Sequence, residues 1–265
     1  MRRFIFTSVV LALVSGSASA AMVERRIGYE VGGKAFEGVL VYDDSVKTKR
    51  PAILMEPDWW GVAPNAIAQA KEIAGKDYVI FVADIFGASY APKNRADKVA
   101  AVSAIRRDVK MARALGGKGL EVMLAEGEKL GIIDPAKVAG IGFCFGGGVL
   151  LDVAREGHKF NALAVFHVTL PQSADPTGPS NIKGAVLVLH GANDPITPRK
   201  AISALEDELD VAKVRWQTVL FSGAVHSFTD VAAPEPEATT ESQKYDPELA
   251  KRSYGLMREF FAGNL

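Results

Sequence analysis

The sequence predicts an α/β fold: a mostly parallel central sheet with helices on both faces and an antiparallel hairpin at its N-terminal end. Three observations predict it. Short apolar runs recur along the chain, among them PAILMEP, DYVIFVADIFG, KVAGIGF, NALAVFHV and GAVLVLHG. They read as apolar throughout rather than alternating, as strands buried on both faces do, and segments of helical periodicity separate them. The two segments VERRIGYEV and KAFEGVLVYD meet at Gly32-Gly33, which signals a hairpin.

The elements follow in order. After PAILMEP, NAIAQAKEIAGK is a short helix ended by Gly75. The second run, DYVIFVADIFG, precedes a helical stretch from Asn94 to about Glu128, with a break expected at Gly116-Gly117. KVAGIGFC is the next strand, and a helix begins after Cys144. NALAVFHV and GAVLVLHG are strands, a helix follows Thr197, VRWQTVLF is the last strand, and PELAKRSYGLMREFFAG is an amphipathic helix. Two polar, Pro-rich loops run over Pro171 to Asn181 and Val231 to Asp246. No internal repeat or linker divides the chain, so residues 21–265 read as a single domain.

Residues 1–20, MRRFIFTSVVLALVSGSASA, have the pattern of a cleavable signal peptide. A basic head (Arg2, Arg3), an apolar core shorter than a bilayer span, and a small-residue site at Ala18-Ser19-Ala20 make that pattern. A periplasmic or secreted product is expected, with no membrane attachment after cleavage. The 31 basic and 31 acidic residues balance, with no basic run, so nothing points to nucleic acid. No HExxH or clustered Cys/His spacing is present, and neither a metal nor a cofactor is expected. Oligomeric state is not readable.

Export sharpens the question of the chain's one cysteine, Cys144 in GIGFCFGG. In an oxidising compartment an unpaired cysteine is a free thiol exposed to oxidation, unless it is buried and inert. Here it lies on a strand–turn–helix junction, flanked by Gly142 and Gly146. A nucleophile on such a turn needs small neighbours two residues away on both sides, and the following helix N-terminus favours a thiolate. A dinucleotide loop fails, because Phe145 occupies a position that would need glycine or alanine. A nucleophile needs a base and an orienting acid. Asp194 in LHGANDP and His226 in GAVHSF follow the next apolar runs, in the chain order nucleophile–acid–histidine of α/β-hydrolases. Of the other histidines, His158 lies in a charged loop, while His167 and His190 end strands and are equally structural or site-lining. Trp59, Trp60, Phe86 and Tyr90 are candidates for an apolar pocket, and Arg113 for contact with an anionic substrate.

With these motifs the chain resembles the dienelactone hydrolases of the α/β-hydrolase fold, over nearly all of residues 21–265. The resemblance rests on the GFCFGG elbow, LHGANDP, GAVHSFTD, EPDWWGVAPN and the closing YDPELAKRSYGLMREFF. It implies a Cys144–His226–Asp194 triad that hydrolyses small-molecule esters or lactones through a thioester. It also implies an oxyanion hole from the N–H groups of Phe145 and Trp59. In the family a glutamate before the aromatic–Gly pair guards the resting thiol; here that place is Asp58, with Glu56 two residues earlier as the alternative. The family's substrate-gripping arginine, four residues past the histidine, is Asp230 in this chain, which argues against a dienelactone substrate. Two alternatives remain: a catalytically silent binding protein on the same scaffold, and a thiol redox sensor, which would lack a resolving cysteine.

Overall fold

The computed structural model describes residues 22–170, 180–231 and 241–265. The expected leader, residues 171–179 of the first polar loop and residues 232–240 of the second lie outside them. Strands β1 (Met22–Val31) and β2 (Lys34–Asp43) form the antiparallel hairpin, turning at Gly32 and Gly33, both at positive φ. The chain continues through β3 (Arg50–Glu56), α1 (Pro64–Ala74), β4 (Val79–Val82), α2 (Arg95–Arg107), α3 (Val109–Leu130) and β5 (Ile133–Phe143). It ends through α4 (Phe145–Arg155), β6 (Ala162–Phe166), β7 (Ala185–Gly191), α5 (Arg199–Val211), β8 (Trp216–Phe221) and α6 (Pro247–Ala262).

These strands make one eight-stranded sheet in the order β1-β2-β4-β3-β5-β6-β7-β8. Pairing is antiparallel from β1 through β2 to β4 and parallel from β4 to β8. Period-two alternation sends side chains to two cores. Ala52 and Leu54 of β3 join the cluster under α3, α4 and α5, while Ile53 and Met55 join the one under α1 and α6. Because the parallel strands run the same way, the loops leaving β3, β5, β6, β7 and β8 gather at one end of the sheet. Ligand sites of open α/β sheets form at that end.

The expected break at Gly116-Gly117 is not where the helix divides. The break falls at Asp108, whose carboxylate accepts the Met111 N–H at 2.9 Å and caps α3. Both glycines lie inside α3 because the helix presses on its neighbours: a Cβ on Gly116 would sit 2.3 Å from the Val153 side chain. Among the described residues, no helix is long and apolar enough to cross a membrane.

Candidate active site

Cys144 sits where β5 turns into α4, at φ 52° and ψ −120°. Backbone in this region costs a non-glycine residue about 1–3 kcal/mol. Among the described residues, three of the four non-glycine residues with positive φ, Cys144, His167 and Ser227, lie in the loops of this one end of the sheet. The flanking glycines are obligatory. A Cβ on Gly142 would lie 2.6 Å from the Gly147 Cα, and one on Gly146 would lie 2.1 Å from the Pro57 carbonyl oxygen. The Cys144 N–H donates to the Phe166 carbonyl, and its own carbonyl accepts from the N–H groups of Gly147 and Thr169.

The β7 and β8 loops bring up the partners. Asn193 stitches them together, donating its N–H to the Ala224 carbonyl and accepting the Gly223 N–H on its side chain. His226 is held from the other side by residues 242–244: its N–H donates to the Ser242 carbonyl, and its carbonyl accepts the Lys244 N–H. The result is a line of contacts. His226 Nε2 lies 3.0 Å from Cys144 Sγ, and His226 Nδ1 lies 2.7 Å from Asp194 Oδ2. The other Asp194 oxygen accepts the N–H groups of Ile196 and Thr197. All three side chains are buried.

Electrostatics couple the three groups. Burial opposes ionisation of Cys144, but the His226 charge and hydrogen bond outweigh it, helped by bonds to Thr169 and Phe145, so the thiol falls below its ordinary pKa. Burial likewise opposes protonation of His226, yet Cys144 and Asp194 push it up to about 10. Asp194 overcomes its own burial through the His226 hydrogen bond and charge and stays below the usual carboxylate range. The arrangement favours a thiolate–imidazolium pair steadied by a carboxylate.

Asp58 behaves oppositely. Its carboxylate accepts the Trp60 N–H at 2.9 Å, and its side chain is hydrogen-bonded to Asp230. Two carboxyl groups can share a hydrogen bond only if one carries a proton. Burial first, then the charges of Asp230 and Cys144, push Asp58 well above the carboxylate range. Asp58, expected as the guarding carboxylate, therefore shares one proton and one negative charge with Asp230 within the field of Cys144. Glu56 is not an equivalent alternative. It ends β3 on the face shared with Leu54 and points toward α3, its Oε1 3.0 Å from where a Gly116 Cβ would stand. The chain turns after Pro57, so the two-residue spacing to Asp58 does not keep them on one side. Both Glu56 oxygens are buried without a hydrogen-bond partner, and burial, with the Asp84 charge, raises its pKa to about 8.

The other expected residues divide. Phe86 and Tyr90 stack at 4.3 Å and pack on Gly61, while the Tyr90 hydroxyl donates to the Trp59 carbonyl at 2.8 Å. They brace the Asp58–Gly61 turn that presents the Trp59 amide. Trp60 faces buried Lys98, whose Nζ lies 3.4 Å from the ring centroid. His167 lies behind the His226 ring at 5.1 Å, its Nε2 2.7 Å from the Thr229 hydroxyl. Burial, then the charges of His226 and His190, keep its pKa well below the ordinary value, so it acts as neutral packing. His190 donates from Nε2 to the Thr197 carbonyl at 2.8 Å and latches the Asp194 loop. Arg113 is a correction: on α3 it is directed to Glu156 at 3.9 Å, at the far end of α4 from Cys144.

Two residues at the site carried no signal in the sequence. The Thr169 hydroxyl is 3.3 Å from Cys144 Sγ, in a loop with no motif. Arg106 of α2 lies over the Phe145 ring at 5.6 Å and feels the Cys144 charge. Both line a pocket that also includes Ile105, Val109, Phe145 and Val149. Among the described residues, no group of three or more His, Cys, Asp or Glu side chains is arranged to hold a metal ion.

A cysteine on a strained strand–helix turn, backed by histidine and aspartate from the next two loops of a mostly parallel sheet, defines a hydrolase of the α/β-hydrolase class. The comparisons with known proteins give the family. The family model described as the dienelactone hydrolase family matches residues 36–265, and the chain belongs to that family. It is an enzyme of the ester-hydrolysing kind. Among solved structures, one named m3DLH is 32% identical with a TM-score of 0.85, covering 92% of this chain and 99% of that one. A dienelactone hydrolase-like promiscuous phosphotriesterase from metagenomic libraries is 29% identical with a TM-score of 0.84, covering 93% and 99%. An uncharacterised Caenorhabditis elegans protein is 30% identical over 146 residues, which is 53% of this chain and 89% of that protein.

Proposed function

We propose that this chain is an exported hydrolase that cleaves carboxylic esters or lactones through a thioester on Cys144. The observation that carries the reading is the unbroken contact line Cys144–His226–Asp194, with 3.0 and 2.7 Å separations. In this reading the thiolate attacks the ester carbonyl carbon. The carbonyl oxygen takes up the electron pair and is held by the Phe145 N–H, at the start of α4, and the Trp59 N–H, in the Asp58–Gly61 turn. The imidazolium of His226 gives its proton to the leaving alkoxide, and the thioester remains. Neutral His226 then takes a proton from water, whose oxygen attacks the thioester. Collapse releases the acid and the Cys144 thiolate, and the proton taken from water stays on the imidazole, which restores the ion pair. Asp194 holds the ring orientation and its positive charge throughout. Export rests on the residue 1–20 pattern, and native protein should begin at Ala21 by N-terminal sequencing.

The test is rapid quench with an aryl ester followed by intact-mass measurement. A transient acyl adduct on Cys144, absent in Cys144→Ala, is expected, with activity lost by orders of magnitude in Cys144→Ala and His226→Ala. The double variant should be little worse than either, since such residues act as a unit. Undiminished turnover in Cys144→Ala would end the reading. A second reading has support in the relative described as a promiscuous phosphotriesterase. The same thiolate could then attack a phosphoryl centre, which requires Cys144-dependent turnover of an aryl dialkyl phosphate.

A further inference from the structure

The leaving-group oxygen must meet His226, which protonates it, so the acyl part of an ester has to lie away from the imidazole. The pocket between α2 and α4 takes that direction. Thr169 and Phe145 connect it to Cys144, and no described residue of the His226 loop lines it. Ile105 and Val109 give it apolar walls. Its two charged residues, Arg106 and Asp152, differ in their pairing. Asp152 is bonded to Arg155 Nη1 at 2.7 Å, and Arg155 is clamped in turn by both oxygens of Glu208. Arg106, exposed at the rim with its guanidinium over Phe145, makes no hydrogen bond or ion pair with a described residue. The carboxyl groups of Asp58, in the loop after β3, and Asp230, four residues past His226, are also close enough to Cys144 for its charge to act on Asp58. The site is thus polarised, cationic on the acyl side and acidic on the side of the His226 loop.

Resting on the cysteine mechanism proposed above, we infer that the site selects short acyl groups ending in an anion, anchored by Arg106, on an uncharged leaving group. A half-ester of a dicarboxylic acid is the simplest such substrate. Its methylenes would lie along Ile105 and Val109, and its terminal carboxylate would meet the guanidinium fork, which matches that shape. The acidic pair opposes the reverse orientation, because it would face a second negative charge.

The experiment compares kcat/KM for phenyl hemiglutarate and phenyl valerate, matched in chain length and differing in terminal charge. Wild type should prefer the hemiglutarate, and the preference should shrink as salt is raised, because the anchor is exposed. Arg106→Gln should lower the hemiglutarate-to-valerate ratio about tenfold, the size of one charge-assisted contact. Arg106→Lys should keep part of it. Arg107→Gln, which removes the same charge one residue away from the pocket, should leave the ratio unchanged. An unchanged ratio in Arg106→Gln, or an equal drop in Arg107→Gln, overturns the anchor while leaving the cysteine mechanism standing. Hydrolysis of both esters at wild-type rates by Cys144→Ala would instead remove the mechanism, and the anchor with it.

Discussion

Asp194 and Asp58 are both buried aspartates of the same loop cluster around Cys144 and His226, yet their protons go opposite ways. Asp194 meets three donors: the His226 ring and the N–H groups of Ile196 and Thr197. Asp58 meets one backbone N–H, a second carboxyl and a thiol. Burial penalises the charge in both cases. The partners decide the outcome: donors that stabilise a carboxylate make Asp194 an anion, and a neighbouring acid makes Asp58 share a proton. Depth of burial alone says nothing about the charge a site carries.

The sharpest way to break this comparison is to remove the anion. Asp194→Asn keeps the shape but takes away the charge that steadies the imidazolium, and should lower kcat on an aryl ester by about a thousandfold or more. The same variant should raise the thiol pKa. In the wild type, alkylation of Cys144 should titrate below the ordinary thiol value of about 8.5, because the His226 charge favours the thiolate. A wild-type midpoint at or above that value would contradict the ion-paired state. If Asp194→Asn leaves the midpoint in place, Asp194 does not act through His226.

A smaller effect sharpens the comparison through stability, and its sign differs for the two residues. Asp194 has a depressed pKa in the folded protein, so its contribution is present above the unfolded value of about 4 and is lost as pH falls through the folded one. Asp58 has a raised pKa, so folding favours its proton, and stability is lost as pH rises above about 4 toward the folded value. Thermal unfolding of Asp194→Asn should therefore approach wild type in acid. Asp58→Asn, whose amide can donate to Asp230 in place of the shared proton, should gain on wild type as pH rises above about 4. Parallel trends for the two variants would show that the carboxyl pair holds no proton.

The contact line Cys144–His226–Asp194 was legible because its signals are local. The strained turn needs glycines two residues from the nucleophile, and Asp194 and His226 each sit in the loop that follows an apolar run. The hairpin and the sheet were legible for the same reason, since period and punctuation are written into a few neighbouring residues. The Gly116-Gly117 break misled because local propensity treats paired glycines as a stop, whereas here they let α3 lie close to Val153 and Ala83 packs against Gly119. Arg113 misled because a helical arginine shows no direction in sequence: it turns to Glu156, while Arg106, before the break at Asp108, lies over Phe145.

By itself the sequence determined the order of elements and singled out Cys144, Asp194 and His226, each by residues within a few positions of it. Only the tertiary structure decided that Asp58 and Asp230 share a hydrogen bond, that Glu56 turns under α3, and that Thr169 and Arg106 stand beside Cys144. Each of these follows from loops and helices distant in the chain meeting at one end of the sheet. A side chain's charge state and direction are fixed by those neighbours, and the neighbours exist only once the strands have paired.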